Sequence, residues 1–216
     1  MIILFDLDGT LIDSTQAIVD SFMDVHNFYE LDLPKEDKIV SLIGYPLEKM
    51  FLQLGANEDS LDELVLKYKE FYRPRSLGMT TLLEDAKEAI VNASKIARLG
   101  IVTTKVSERT NALLKSLEVS EYFEVVIGRD SVTNPKPDPE PVLKALKYFE
   151  NVEYDNAFMI GDTYMDIVAA NKADVTSIGV LCGSGTQESF EVNNAKYICK
   201  NAYEAVKLIQ DNYATS

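Results

Sequence analysis

Five continuous apolar runs punctuate the chain: Ile2 to Phe5, Gly100 to Thr103, Phe123 to Ile127, Ala157 to Ile160 and Val175 to Val180. They do not alternate with polar residues, which marks strands buried on both faces, as in a parallel sheet. Helical patterns lie between the later runs. From Leu82 to Ala97, Leu83, Ala86, Ile90, Ala93 and Ile96–Ala97 fall on one face. A second helix is predicted over Asn111 to Leu117 with Ser107 as its cap. A third runs from Pro141 to Phe149, with Asp138 as N-cap and Pro139 in the first turn. Alternating strands and helices imply right-handed crossovers and therefore a doubly wound, Rossmann-like α/β sheet. A sixth run, Tyr197 to Cys199, predicts an edge strand.

The interval between the first two strands does not fit a single crossover, since about ninety residues separate Phe5 from Gly100. Within it, Ile18, Phe22 and Val25 form one apolar stripe. Leu61, Leu64, Val65, Tyr68, Phe71 and Tyr72 form another. The expected organisation is an α/β core made of residues 1–13 and 80–216, interrupted by an all-helical cap domain over 14–79.

Polar residues gather where the strands end. The first run closes on Asp6-Leu7-Asp8-Gly9-Thr10 and the second on Thr103-Thr104-Lys105. Asn134-Pro135-Lys136-Pro137-Asp138-Pro139 follows the third, and Gly161-Asp162-Thr163-Tyr164-Met165-Asp166 closes the fourth. Open α/β sheets bind ligands beyond the carboxyl ends of their strands, so four such clusters define one site. In an extended chain Asp6 and Asp8 face the same way while Leu7 enters the core, and Gly9 allows a sharp turn. Two carboxylates ~4 Å apart repel by about 4 kcal/mol at an effective dielectric of 20, so adding Asp162 and Asp166 demands cations. An oxygen-rich acidic site of this kind suits Mg²⁺ together with a phosphate oxygen. Lys136 adds a fixed positive charge, and the Thr103 hydroxyl can donate to a phosphate oxygen. Such an inventory supports attack of a carboxylate on phosphorus, with a second carboxyl protonating the leaving group and then activating water. Asp6 and Asp8 are placed for those two roles.

Net charge changes the picture of partners. The chain has 216 residues and a formal net charge of −14, which repels polyanions, so nucleic acid and anionic membrane are poor partners. A phosphorylated metabolite must then be met by cations inside the site. No apolar stretch approaches the ~18 residues needed to span a bilayer, and the N-terminal run turns acidic too soon for a signal peptide. A cytoplasmic protein is expected, with Cys182 and Cys199 as reduced, buried thiols and with monomer and dimer both left open. His26 reads as a packing residue of the cap. Gly183-Ser184-Gly185 is not followed by the Lys-Ser/Thr of a nucleotide P-loop.

Asp-Leu-Asp-Gly-Thr, Thr103, Lys136 and Gly-Asp-x-x-x-Asp, in this order at strand ends, resemble the four motifs of the haloacid dehalogenase superfamily. More narrowly, the chain resembles its phosphoglycolate phosphatase-like branch, in which a helical cap follows the first motif. Ile101 to Lys105, Lys136 to Pro141, and Gly183 with Glu188 carry the closer likeness. The resemblance implies Asp6 as nucleophile, Asp8 as acid/base, and Thr103 and Lys136 as phosphate ligands, with Thr104 beside them where many relatives have Asn. It further implies Mg²⁺ held by Asp6, Asp162 and the main-chain carbonyl of Asp8, with Asp166 just outside, either serving that site or capping a helix. Asn171 to Asp174 and Met79 to Leu82 depart from the turns usual in this branch. Lys105 is open between a solvated loop charge and a phosphate-site charge. In the cap, Leu42-Ile43-Gly44-Tyr45-Pro46 resembles the loop that faces the site, with Gly44 for close approach and Lys49 as the nearby cation.

The expected activity is hydrolysis of a small phosphomonoester, phosphoglycolate first. A signalling receiver is excluded by motif order, and dehalogenases and phosphonate-cleaving relatives lack the second aspartate of the first motif. A phosphosugar mutase shares the core. An inorganic pyrophosphatase-like branch matches at Ile101 to Lys105, at Leu42 to Gly44, and at Gly161-Asp162-x-Tyr164-x-Asp166-Ile167-Val168.

Overall fold

The structure is a computed structural model that describes residues 1–149 and 156–213. Strand β1 (Ile2–Phe5) leads into a short strand β2 (Ile12–Asp13), then helices α1 (Thr15–Phe28), α2 (Glu36–Val40), α3 (Leu47–Gln53) and α4 (Leu61–Met79). Strand β3 (Thr81–Leu82) returns the chain to α5 (Ala86–Ser94), β4 (Arg98–Val102), α6 (Ser107–Ser116) and β5 (Phe123–Ile127). Then come α7 (Glu140–Tyr148), β6 (Ala157–Gly161), α8 (Tyr164–Lys172), β7 (Thr176–Val180), α9 (Gln187–Val192), β8 (Tyr197–Cys199) and α10 (Ala202–Tyr213). The main sheet has the order β5-β4-β1-β6-β7-β8, with every pair parallel. This is the expected doubly wound α/β fold.

Strand β1 shows why its sequence is apolar throughout. Ile3 and Phe5 pack in one core with α5, α6 and α10, while Ile2 and Leu4 pack in the other with α7 and α8. The period of two sends alternate side chains to opposite faces, and both faces are covered. Phe5 is level with Ile101 of β4 and Ile160 of β6, so the residues that follow each strand emerge side by side. The chain fills the sheet on the β4 side of β1 before crossing to β6. That reversal leaves the crevice at the strand ends in which ligands of such sheets bind.

Helices α1 to α4 have an apolar core of their own, centred on Phe22, Phe51 and Tyr68, whose rings lie 4.7 to 6.2 Å apart. His26 is buried in it with Nδ1 2.8 Å from the Phe22 carbonyl, a packing role. Arg75 of α4 pairs with Asp24 of α1 at 2.6 Å.

Three local readings are corrected. The helix expected over Leu82 to Ala97 starts only at Ala86, because Thr81–Leu82 pairs antiparallel with Ile12–Asp13 and forms a two-stranded ribbon at the chain's two crossings. Helix α6 begins at Ser107 itself, whose hydroxyl donates to Asp130 (2.9 Å) and does not cap the helix. Helix α7 begins at Glu140, not Pro141, and the Asp138 carboxylate accepts from the Glu140 N–H at 2.9 Å.

Candidate active site

Asp6 follows β1 directly, and its N–H donates to the Ile160 carbonyl at 2.8 Å, which extends the β1–β6 ladder by one step. Leu7 turns into the core beside Phe5, leaving Asp6 and Asp8 on the other side of the chain. Gly9 has φ +80°, a left-handed conformation that glycine adopts without penalty. A β-carbon there would also stand 2.7 Å from the Asp162 Cγ. Gly183 after β7 is under the same constraint, since its β-carbon would lie 2.5 Å from that atom. Two glycines thus open the space that Asp162 occupies. Its carboxylate accepts from the Thr10 hydroxyl (3.2 Å), the Ser184 N–H (2.9 Å) and the Ser184 hydroxyl (3.2 Å).

Carboxylate oxygens of Asp6, Asp162 and Asp166 lie within 4.8 Å of one another, and all three residues are buried. Lys136 enters the cluster from the segment before α7. Its Nζ is 2.9 Å from Asp6 Oδ1 and 2.5 Å from Asp166 Oδ1, and it donates to the Val102 carbonyl at 3.0 Å. Burial works against the lysine's charge, but Asp166 and Asp6 outweigh it and raise its pKa. The other oxygen of Asp166 accepts from the N–H (2.9 Å) and hydroxyl (2.7 Å) of Thr163. Asp166 therefore caps α8 and holds Lys136 at once, and Thr-x-x-Asp is the sequence signal for the capping half.

One lysine does not balance three carboxylates. Burial, with Asp166 and Asp162 adding to it and Lys136 opposing, drives Asp6 well above the ordinary carboxylate range. Asp162 is pushed to about 7, by burial first and then by the charge of Asp166. An acidic cluster held this short of positive charge, built from hard oxygen donors, fits a divalent cation such as Mg²⁺.

Asp8 lies in a different setting. Its Oδ1 accepts from the Ser14 hydroxyl, and its Oδ2 is 3.3 Å from Lys105 Nζ. Lys105 in turn donates to the Tyr72 hydroxyl of α4 at 2.9 Å. Burial, the largest single influence, opposes its charge, but Asp8 and Tyr72 together outweigh it, so Lys105 stays protonated. Lys105 is thus neither a solvated loop charge nor, in this arrangement, free for phosphate.

Thr103 is buried with its N–H on the Ile127 carbonyl (2.9 Å), and its hydroxyl oxygen accepts from the Lys105 N–H at 3.2 Å. That leaves the hydroxyl proton available to a ligand. Thr104 is placed differently: its hydroxyl donates to the Gly44 carbonyl at 3.0 Å, so it fastens the cap loop to the core. Tyr45 and Tyr164 meet across the same boundary through their hydroxyls at 3.3 Å.

A cavity of about 670 Å³ lies between the helical unit and the core, walled in part by Asp8, Gly44, Tyr72, Arg73, Lys105 and Arg109. Asp8 lines it, whereas Asp6, Asp162 and Asp166 do not. Gly44 lines it as expected. Lys49 does not: α3 turns it outward, where its Nζ sits 4.6 Å from the Tyr45 ring centre. The cations that the helical unit brings to the cavity wall are instead Lys69 and Arg73, on a helix that starts well after the Gly44 loop. Nothing in the local sequence ties the two segments together. Ser14 and Ser184, which hold Asp8 and Asp162, also escape a reading by motif, whereas Thr10 closes the first motif.

The fold and this acidic, lysine-bridged strand-end cluster are those of a hydrolase with an α/β core. The chain belongs to the haloacid dehalogenase-like hydrolase family, whose model matches residues 3–180. It is 35% identical over 193 residues to Pyrophosphatase PpaX from Bacillus velezensis, covering 88% of each chain. A solved haloacid dehalogenase-like hydrolase from Bacteroides fragilis superposes with a TM-score of 0.90 at 28% identity, over 94% of this chain and 98% of that one. A predicted phosphoglycolate phosphatase from Haemophilus somnus matches with a TM-score of 0.86 over 97% of both chains. Its 21% identity speaks for the fold alone.

Proposed function

We propose that the chain is a Mg²⁺-dependent phosphatase of small phosphorylated metabolites in which Asp6 is the nucleophile. The observation that carries this reading is the position of Lys136, with Nζ 2.9 Å from Asp6 and 2.5 Å from Asp166 beside the buried Asp162. Asp6 Oδ attacks phosphorus as the bond to the leaving oxygen breaks, and Asp8 gives that oxygen its proton. Asp8 then takes a proton from water, which attacks the aspartyl phosphate, releases orthophosphate and restores Asp6. Lys136 and the Thr103 hydroxyl hold the phosphoryl oxygens through the transfer. Asp6, Asp162 and the Asp8 carbonyl would hold Mg²⁺, with Asp166 outside; the ion supplies charge neutralisation when bound. Helices α1–α4 act as a cap that hinges at the β2–β3 ribbon and excludes water when closed.

Phosphoglycolate is the first substrate proposed, because a cavity lined by Gly44 and by cations that include Lys69 and Arg73 suits a small acidic phosphoester. A second reading, pyrophosphate hydrolysis, has support of its own: the similar Bacillus velezensis protein is named a pyrophosphatase, and Arg73, unlike Lys49, lines the cavity. Phosphate release measured for phosphoglycolate, pyrophosphate and sugar phosphates under equal Mg²⁺ and in excess chelator decides among them. Phosphoglycolate is expected to lead and the chelator to abolish turnover. A pyrophosphate kcat/KM higher by tenfold, about 1.4 kcal/mol in transition-state binding, establishes the second reading. Full turnover in chelator by demetallated protein overturns the metal-dependent mechanism.

A further inference from the structure

The chain carries a net charge of −14, yet three arginines line a cavity that Asp8 also lines. Arg73 comes from α4, Arg109 from α6, and Arg129 from the turn after β5. None of the three takes part in an ion pair among the described residues. Arg129 Nη1 donates to the Val132 carbonyl at 3.1 Å, while its buried Nε has no hydrogen-bond partner. Elsewhere the acidic surface takes up its arginines: Arg75 holds Asp24 at 2.6 Å and Arg98 holds Glu124 at 2.5 Å.

Several acids on the cavity wall are already engaged. Asp8 is held by Lys105, Glu70 by Lys67 at 2.6 Å, and Asp130 accepts from the Ser107 N–H and hydroxyl. Glu48 and Glu108 remain. A guanidinium without a carboxylate, beside a cavity in a strongly acidic protein, is a vacant anion partner. Arg73 stands on the helical side of the cavity and Arg109 on the sheet side. An anion between them would be gripped from both, and Arg129 would add positive potential from behind.

We propose that Arg73 and Arg109 form a subsite for a second anionic group of the substrate, opposite the phosphoryl group transferred to Asp6. The inference rests on the phosphatase reading and gives its substrate class: compact molecules with a phosphoryl group and, one or two bonds beyond it, a second phosphate or a carboxylate. Guanidinium forks recognise both anions in a bidentate manner, so the two sources are separated by experiment.

Calorimetric binding in Mg²⁺ compares methylenediphosphonate, phosphonoacetate and methylphosphonate, which carry a second phosphonate, a carboxylate and no second anion. The parent protein is expected to bind at least one of the first two about tenfold or more tighter than the third. The better of the two identifies the second group. In the double variant R73Q/R109Q that ratio should fall to within about threefold, while R73K/R109K keeps an intermediate value. Matching melting curves establish that the variants fold; should the double variant not fold, R73Q alone, at an exposed helical position, gives the same comparison. A ratio that persists in the glutamine variants, or a parent that does not discriminate, overturns the subsite. Phosphate release by the parent is scored separately. Turnover with a persistent ratio removes the subsite and leaves the phosphatase, whereas a collapsed ratio without turnover keeps the anion subsite and removes the phosphatase.

Discussion

Replacing Lys136 with methionine keeps the length of a buried side chain and deletes its charge. In the parent, Nζ satisfies the Val102 carbonyl and bridges Asp6 and Asp166 at a residue only 3% exposed. Removing one partner of a buried ion pair costs about 3–5 kcal/mol, because the other charge stays behind uncompensated. At ~2–4 °C per kcal/mol for a chain of this size, the melting temperature should fall by roughly 10 °C. The pH dependence gives the sharper test. Burial already holds Asp6 above its ordinary range, and Lys136 is the largest opposing influence. Without the lysine, Asp6 rises further. A carboxyl whose folded value exceeds its unfolded value weakens the fold above both values, and the penalty fades as pH falls towards ~4. The gap between parent and Lys136→Met should therefore be widest near pH 8 and shrink towards pH 5, in melts recorded with chelator. Turnover should drop about 10²–10³-fold in the same protein, as expected for loss of one preorganised donor at the transferring group. A variant that melts within 2 °C of the parent at every pH, a limit well inside the roughly 6 °C minimum expected, would refute this account of the cluster.

Two further substitutions separate the roles around it. Asp6→Asn should leave no phosphorylated protein detectable by mass spectrometry, whereas Asp8→Asn should still be phosphorylated by substrates with good leaving groups; normal labelling of Asp6→Asn sinks the nucleophile assignment. Gly183→Ala sets a β-carbon 2.5 Å from Asp162 Cγ and 2.6 Å from its Cβ, which forces Asp162 to move. The rise in melting temperature produced by Mg²⁺ in the parent should be lost, along with about 1–3 kcal/mol of stability from overpacking. An unchanged Mg²⁺ increment would mean that Asp162 is not a ligand.

The sheet was legible because a parallel sheet covered on both faces requires continuous apolar strands, and such runs are rare elsewhere in a chain with this many acidic residues. A helical segment with an apolar core of its own could be read from the length of the interval and its two stripes. What escaped depends on contacts distant in sequence. The β2–β3 ribbon has two residues per strand, too few to show a period. Helix α8 buries Met165, Asp166, Ile167, Ala169 and Ala170 on several sides, so no single stripe announces it. Ser107 reads as a cap until Asp130, across the turn after β5, takes its hydroxyl. Thr104 and Lys49 took their places from the resemblance. The Thr104 hydroxyl is drawn to the Gly44 carbonyl while the residue still lines the cavity, and Lys49 rides outward on α3.

The two aspartates of the first motif lie two residues apart, yet they answer to different parts of the molecule. Asp6 is locked into the sheet by its N–H on Ile160 and faces Lys136, which the core supplies. Asp8 lies one step beyond, in an isolated bridge to Ile12 at the base of the ribbon that leads to the helices. Ser14, its hydroxyl donor, precedes α1, and the lysine paired with its other oxygen is tied to Tyr72 of α4. On the proposed chemistry the nucleophile must stay oriented throughout, and its N–H on the Ile160 carbonyl with Lys136 opposite provides that. The acid/base must give up a proton and take another, so it cannot keep both oxygens engaged as they are here. Any displacement of α4 withdraws Tyr72 from Lys105 and loosens the hold on Asp8, while Asp6 is left in place. Division of labour between two carboxylates thus follows from which of them lies beyond the last ladder bond of β1.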